Sequence, residues 1–432
     1  LKVVLQQSGG HAHRAAAEAL GSMPVSCRGP DICSEAVENI PSVGWADITE
    51  ASGLKDILRP KMIGRSLVAP APAAQRVLVL KFARQSDSAE DLQREALWMR
   101  QLQSRSHDCG LRFDVPGPLR VKDADVLRLA HLPNGLSSEL SLDSRRLMIA
   151  FIAHEDYYRY PNRGRRISGP AFREVLARNA RLLGYLAGCG VVHGAPIPLF
   201  HNRVQTARRR DQGLYEWFRA GRLDRWLESC RYPNFGLTGV RDFEHFIAVN
   251  GSGPALYRWI GSHFLSLLLV AGSYFRSKEP HKLGYDDQGR PVDVRKLFDQ
   301  ELLTQIVQEV FREYYTGFVG ADFQDCLPLD LARLSDRMIA EMGVDRHMEE
   351  ILRAVDQTQM SAQEFRAFLK QRGRSEKDIA RLHQGAEDIV VYTGPHLGAF
   401  NQPISLPELI EAVETMSALC VAGRYRRETA AV

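Results

Sequence analysis

The chain has 432 residues, long for a single hydrophobic core, so two lobes or domains are expected. Hydrophobic residues make up 44% and charged residues 25%, as in ordinary soluble globular proteins, and a net charge of +4 gives no basis for reading the chain as a nucleic-acid binder. The 7 cysteines are scattered and none has zinc-ligand spacing, which points to reduced thiols and a cytosolic setting. The most apolar run, Ile260 to Val270, is too short for a membrane span and carries His263, so a buried core helix is expected there.

In chain order, residues 1–23 read as a helix stopped by Gly21 and Pro24. Its Ala-rich part is similar to the second helix of a HEAT-type repeat, the end of an array, or else is an isolated helix packed on the main body. The chain opens on Leu1, as a fragment or processed form would. Residues 24–45 read as a Pro-, Gly- and Ser-containing linker. Ile57 to Val68 leads to a strand ended by Ala69-Pro-Ala-Pro72, and Arg76 to Ala83 is an apolar strand with Lys81 near its end. Ser86, Asp87 and Ser88 offer caps for an amphipathic helix from Ala89 to Leu102, which carries Glu95. Further strands are expected at Val115–Val121, Asp125–Ala130 and Arg146–Ala153, the last running into a hinge at His154–Pro161. A helix follows from Pro170 to Gly188, then a short strand at Val191-Val-His193. Residues 204–231 read as a basic, partly helical insert. Tyr257–Arg276 is the expected central buried helix, residues 297–425 continue as amphipathic helices, and Glu428–Val432 show no pattern, as a disordered tail would.

The chemistry-bearing residues come in an order that resembles a protein kinase. A strand lysine, Lys81, followed on a helix by Glu95 is what a kinase N-lobe needs: the lysine neutralises phosphate charge and the glutamate holds it. His193-Gly194 occupies the place of a catalytic loop, where aminoglycoside-phosphotransferase-like kinases carry His-Gly-Asp. Here the Asp position is Ala195 and the usual metal-binding Asn position is Phe200, so the base that would accept a hydroxyl proton is missing. Asp242-Phe243 then stands where a kinase holds its metal, with Glu244 in place of glycine. The fold expected is α+β, a bilobal protein-kinase-like (pseudokinase) arrangement. It has an N-terminal extension at 1–45, an N-lobe and hinge at 46–160, and a helical C-lobe at 161–427.

The order Lys81, Glu95, His193-Gly without Asp, Tyr232-x-Asn234, then Asp242-Phe resembles the SidJ-like pseudokinases, over roughly residues 55–420. That resemblance implies an enzyme that uses ATP and Mg²⁺ (or Mn²⁺) to adenylate a protein glutamate. Free glutamate then displaces AMP, a protein glutamylation (polyglutamylase) activity. It implies that Lys81, supported by Glu95, contacts the ATP phosphates. Asn234 and Asp242 would hold the metal, Tyr232 would lie in the nucleotide pocket, and Arg222 would come near the phosphates. For a second nucleotide site the candidates are His193, His201, Asn202 and Arg203. An acceptor protein is implied but not named by the sequence, as is a bacterial cytoplasmic setting, with a secreted effector as the alternative. SidJ-like proteins depend on calmodulin through an IQ helix. No such pattern is found here, so calmodulin is not expected as the activator.

Two other classes stay open on sequence: a pseudokinase that transfers AMP to hydroxyls or runs another nucleotidyl transfer, and a silent binding scaffold. Retention of Lys81, Glu95, Asn234 and Asp242 argues against silence, because a scaffold has no need of a metal and phosphate clamp.

Overall fold

The computed structural model describes residues 40–84, 87–108, 113–131, 146–161, 167–197, 230, 232–249, 253–277, 300–341, 358–371, 375, 376, 379, 388–391 and 407–430. The expected helix at 1–23, the insert helix, and Phe200, His201, Asn202, Arg203 and Arg222 lie outside the described residues.

The first half is a sheet with order β1-β6-β7-β4-β3-β2. Its strands are β1 (Ser42–Gly44), β2 (Lys61–Ile63), β3 (Ser66–Ala71), β4 (Arg76–Phe82), β6 (Val126–His131) and β7 (Leu147–His154), with β5 (Gly117–Pro118) pairing β7 off that path. All pairings are antiparallel except β1 with β6. Two helices accompany the sheet, α1 (Trp45–Ser52) and α2 (Ala89–Asp108). The centre of the sheet is covered on both faces, and the period-2 alternation of a strand sorts its side chains. Leu78, Leu80 and Phe82 of β4, with Met148 and Ala150 of β7, join Val43 and Ile48 in a small outer core. Val77, Val79, Ile149, Phe151 and Ala153 join the main core, which continues through Leu92, Trp98, Met99 and Leu102 of α2 into the helical half. Lys81 shares the parity of Val77 and Val79, so it projects on the face that meets α2 and the second half.

Several expectations need correction. The linker ends earlier than expected: Ser42–Gly44 is already a strand and Trp45 opens a helix. The span 57–68 is a hairpin, β2 turning at Gly64-Arg65 into β3, and β3 runs through Pro70. Proline is tolerated because β2 pairs β3 only as far as Val68, so no ladder bond is needed from the Pro70 nitrogen; its carbonyl instead accepts from Leu58 N at 2.8 Å. The strand expected over 115–121 shrinks to Gly117–Pro118, since Pro116 and Pro118 have no N–H to give a ladder.

The second half is built on helices: α3 (Gly169–Gly188), α4 (Gly253–Ser277), α5 (Gln300–Val319), α6 (Leu331–Glu341), α7 (Ala362–Gln371) and α8 (Pro407–Ala430). Two short ribbons join them, β8 (Val191–His193) with β9 (Phe246–Ala248), and β10 (Thr358–Ser361) with β11 (Asp388–Val391). The β10–β11 ribbon interrupts what reads in sequence as helices alone. The C-terminal helix is not amphipathic: residues 412–423 are buried on every side, and helical backbone continues to Ala430, through most of the expected tail. Ile260 to Phe275 of α4 is also buried throughout, as expected for a central helix. No helix among the described residues is long and apolar enough to cross a membrane.

Candidate active site

The site forms where β4, α2, the β2–β3 turn and the segment 232–245 converge. Ser88 begins α2 with a reciprocal cap: its hydroxyl accepts from Asp91 N at 3.2 Å, and the Asp91 carboxylate accepts from Ser88 N at 3.1 Å. The helix then carries Leu92, Glu95, Met99 and Leu102 on one stripe against the core. Glu95, 1% exposed, meets Lys81 there, with Nζ to Oε1 at 2.6 Å.

Asn234 and Asp242 are brought to one end of a small hairpin. Asn234 C=O accepts from Arg241 N at 2.7 Å, Phe235 bridges Val240, and Gly236 N donates to Gly239 O at 2.7 Å. The turn needs Gly239, whose φ is +128°. The spacing that reads as a motif in sequence is thus the length of this hairpin. Asp242 follows in the left-handed region (φ 52°, ψ 63°), which costs a non-glycine residue energy and is common at functional positions. Its Oδ1 accepts from Lys81 Nζ at 3.1 Å. Lys81 therefore joins residues 14 and 161 positions away in sequence.

Glu244 completes the cluster. Its carboxylate pairs with Arg65, with Lys81 Nζ at 3.7 Å, with Arg84 at 3.4 Å and with His245 Nε2 at 3.2 Å. Burial alone would lower the Lys81 pKa, but Asp242, Glu244 and Glu95 together hold it above its ordinary value. Burial alone would raise Glu244, but Lys81, His245 and Arg65 hold it well below the usual carboxylate range. Ligand atoms of Asp242, Glu244 and His245 all lie within 4.8 Å of one another. Hard oxygen donors and one imidazole are a set that a divalent cation accepts.

Asn234 is buried and its amide donates to the Ala195 carbonyl at 2.7 Å, while its backbone N donates to Pro196 O at 2.8 Å. The segment after residue 231 is therefore packed directly on the His193–Ile197 loop. Ala195 is buried and offers the loop only a methyl group.

His193, a second-site candidate from the sequence, is a buried strut. It has no exposure, its Nε2–H donates to Arg241 C=O at 2.7 Å, and its Nδ1 accepts from Ala195 N at 3.1 Å. Burial, with His245 nearby, lowers its pKa to about 3, so it is neutral. Tyr232 is 41% exposed and sets its ring edge-on to Tyr160, centroids 5.3 Å apart, beside the 155–161 connection.

Sequence reading missed Arg65 and Arg241, and met Glu244 only as a departure from a motif. Arg241 is buried, donates to the carbonyls of Tyr157 (3.1 Å), Phe235 (3.2 Å) and Pro233, and lies 4.0 Å over the Tyr160 ring. A lone arginine gives no signal of this kind; Arg65 was signalled only by its place beside Gly64 between two apolar runs. Comparison of the sequence with family models and with curated proteins found no match.

Proposed function

We propose that this chain is a kinase-fold enzyme that adenylates instead of phosphorylating: an ATP-dependent, AMP-forming protein glutamylase. The observation that carries the reading is Lys81 held between Glu95 at 2.6 Å and Asp242 at 3.1 Å; the alanine at position 195, read from the sequence as the place of a catalytic base, agrees with it. The strand order β6-β7-β4-β3-β2, with α2 leaving the end of β4, and the β8–β9 ribbon flanking the Asp242 segment support a bilobal protein-kinase-like arrangement.

A glutamate acceptor suits what is missing. Its carboxylate is already ionised at neutral pH, so attack on the α-phosphorus needs no proton acceptor at position 195. A carboxylate oxygen bonds to phosphorus and pyrophosphate leaves. The amine of free glutamate then attacks the acyl carbon, loses its proton to solvent and expels AMP, leaving an isopeptide bond. Lys81 offsets phosphate charge in both ground and transition states, and Glu95 keeps its ammonium aimed at the cleft. The donor set fits Mg²⁺ or Mn²⁺: the Asp242 carboxylate, still 29% exposed, and the Asn234 amide oxygen would hold it, and it would supply charge neutralisation for the triphosphate. The Asn234 amide N–H₂ meanwhile braces the loop through Ala195.

Incubation with labelled ATP and labelled glutamate, followed by mass spectrometry of candidate acceptors, tests the proposal. AMP release that depends on glutamate is expected. Stable protein-bound AMP would instead mean hydroxyl adenylation, and neither product, with no nucleotide-induced thermal shift, would mean a silent scaffold. Asp242→Ala should abolish AMP formation at every Mg²⁺ or Mn²⁺ concentration, and Asn234→Ala should be partly rescued by excess metal.

A further inference from the structure

Glu244 is not among the residues assigned to the nucleotide or its cation in the proposed chemistry. It lies on the turn after Asp242, and its side chain is 14% exposed. Three cations from three places in the chain converge on it: Arg65 from the β2–β3 turn, Lys81 from β4, and Arg84 from the segment after β4. Arg65 has a second anchor, NH1 to Asp87 Oδ2 at 2.9 Å, so its NH2 edge could exchange partners while the side chain stays in place.

Lys81 already has Glu95 and Asp242, and Arg65 has Asp87, but Glu244 is the one carboxylate that all three cations share, and such a shared, partly buried position favours an anion. A polyphosphate would supply it in the bound state. In the structure the chain supplies it. We propose that Glu244 is a resident anion occupying the polyphosphate cradle of Arg65, Lys81 and Arg84, and that an incoming nucleoside di- or triphosphate displaces it. The proposal rests on the nucleotide-binding reading above. Part of the nucleotide's binding free energy is then used to break internal pairs, so affinity is set below what the three cations would give alone. Asp242 does not share this role. It pairs with Lys81 Nζ at 3.1 Å, keeps 29% exposure, and is the carboxylate reserved for the cation.

The test is calorimetric titration of the whole chain with Mg-ATP, Mg-ADP and metal-free pyrophosphate, for the wild type and Glu244→Gln. The amide keeps the size of the side chain and removes its charge. Glu244→Gln is expected to tighten all three ligands, on the order of tenfold, and to leave adenosine unchanged. Equal affinity in a folded variant overturns the proposal while the nucleotide reading stands. Weaker Mg-ATP binding that excess Mg²⁺ restores also overturns it, making Glu244 a metal ligand with Asp242 and His245. Absence of binding by both proteins removes the nucleotide reading and this inference together. Should the variant fail to fold, the unaltered chain decides. A structure with Mg-ATP bound should show Glu244 withdrawn from Arg65, and an intact Arg65–Glu244 pair beside the triphosphate overturns the proposal.

Discussion

Lys81 is both a predicted phosphate ligand and a structural cation. It is buried, and removing it leaves Glu95 as a carboxylate deep in the main core, its second oxygen without a hydrogen-bond partner among the described residues. A substitution that empties only the cationic side of such a pair costs about 3–5 kcal/mol, whereas removing both charges together is close to neutral. Lys81→Met alone is therefore expected to lose stability as well as AMP formation, and loss of activity in that variant says little about catalysis. The pair Lys81→Met/Glu95→Gln should recover most of the stability in urea unfolding and still form no AMP. Recovery of activity along with stability would make Lys81 a purely structural residue. Glu95→Gln by itself should retain partial activity, because Asp242 still orients the ammonium from 3.1 Å.

At the scale of elements, the helical half depends on a close crossing of α3 and α5. A Cβ on Gly184 would overlap the backbone carbonyl of Tyr314, and one on Gly317 would overlap that of Arg181, so the two helices touch backbone to backbone at reciprocal glycines. Gly184→Ala must push them apart. The expected loss is about 2 kcal/mol or more, read as a lower urea midpoint, against a gain of under 1 kcal/mol that alanine would bring to an isolated helix. An unchanged midpoint would show that the crossing has slack. Elements with a strong local signature were legible in the sequence: β4, α2, β7, α3, β8 and α4 fall where apolar periodicity and caps put them. Elements defined by distant partners were not. The three residues of β1 exist as a strand because Arg128–His131 pairs with them, and residues 412–423 of α8 are buried on all sides by elements that its own sequence does not announce. Of the site, Lys81, Glu95, Asn234 and Asp242 were legible as a spaced set. Arg65, Arg84 and Glu244 were not, because their meaning is a meeting of side chains from three segments. Arg241 escaped for the same reason: its partners are backbone carbonyls, which no sequence pattern marks.

Across the whole molecule, a buried polar chain ties the helical half to the Asp242 segment. The Tyr314 hydroxyl of α5 donates to His263 Nδ1 at 2.8 Å, His263 Nε2–H of α4 donates to His193 C=O at 3.2 Å, and His193 Nε2–H donates to Arg241 C=O at 2.7 Å. Each imidazole is neutral and uses one nitrogen as donor and the other as acceptor, so protonation of either would break a bond in the chain. Burial lowers the pKa of His263 to about 4 and that of His193 to about 3. In the unfolded chain both titrate near 6.5. Between those values the unfolded state binds protons that the folded state refuses, so stability is fully present above pH 6.5 and falls as pH drops below it. The slope approaches about 1.4 kcal/mol per pH unit for each imidazole only well below pH 6.5, so each contributes about 1.4 kcal/mol of loss in all between pH 7.5 and 5.5. Urea unfolding of the wild type from pH 7.5 to 5.5 should therefore show a steep loss. In His263→Gln, where the amide can still donate to His193 C=O, the loss over that range should be smaller by that one-imidazole amount. If the two slopes coincide, His263 is protonated in the folded state and the link from α5 to the Asp242 segment is not the neutral chain described. A shallower slope would place the acid sensitivity of the fold in the same backbone contacts that hold Asp242 beside Lys81, so AMP formation should fail together with the fold and not before it.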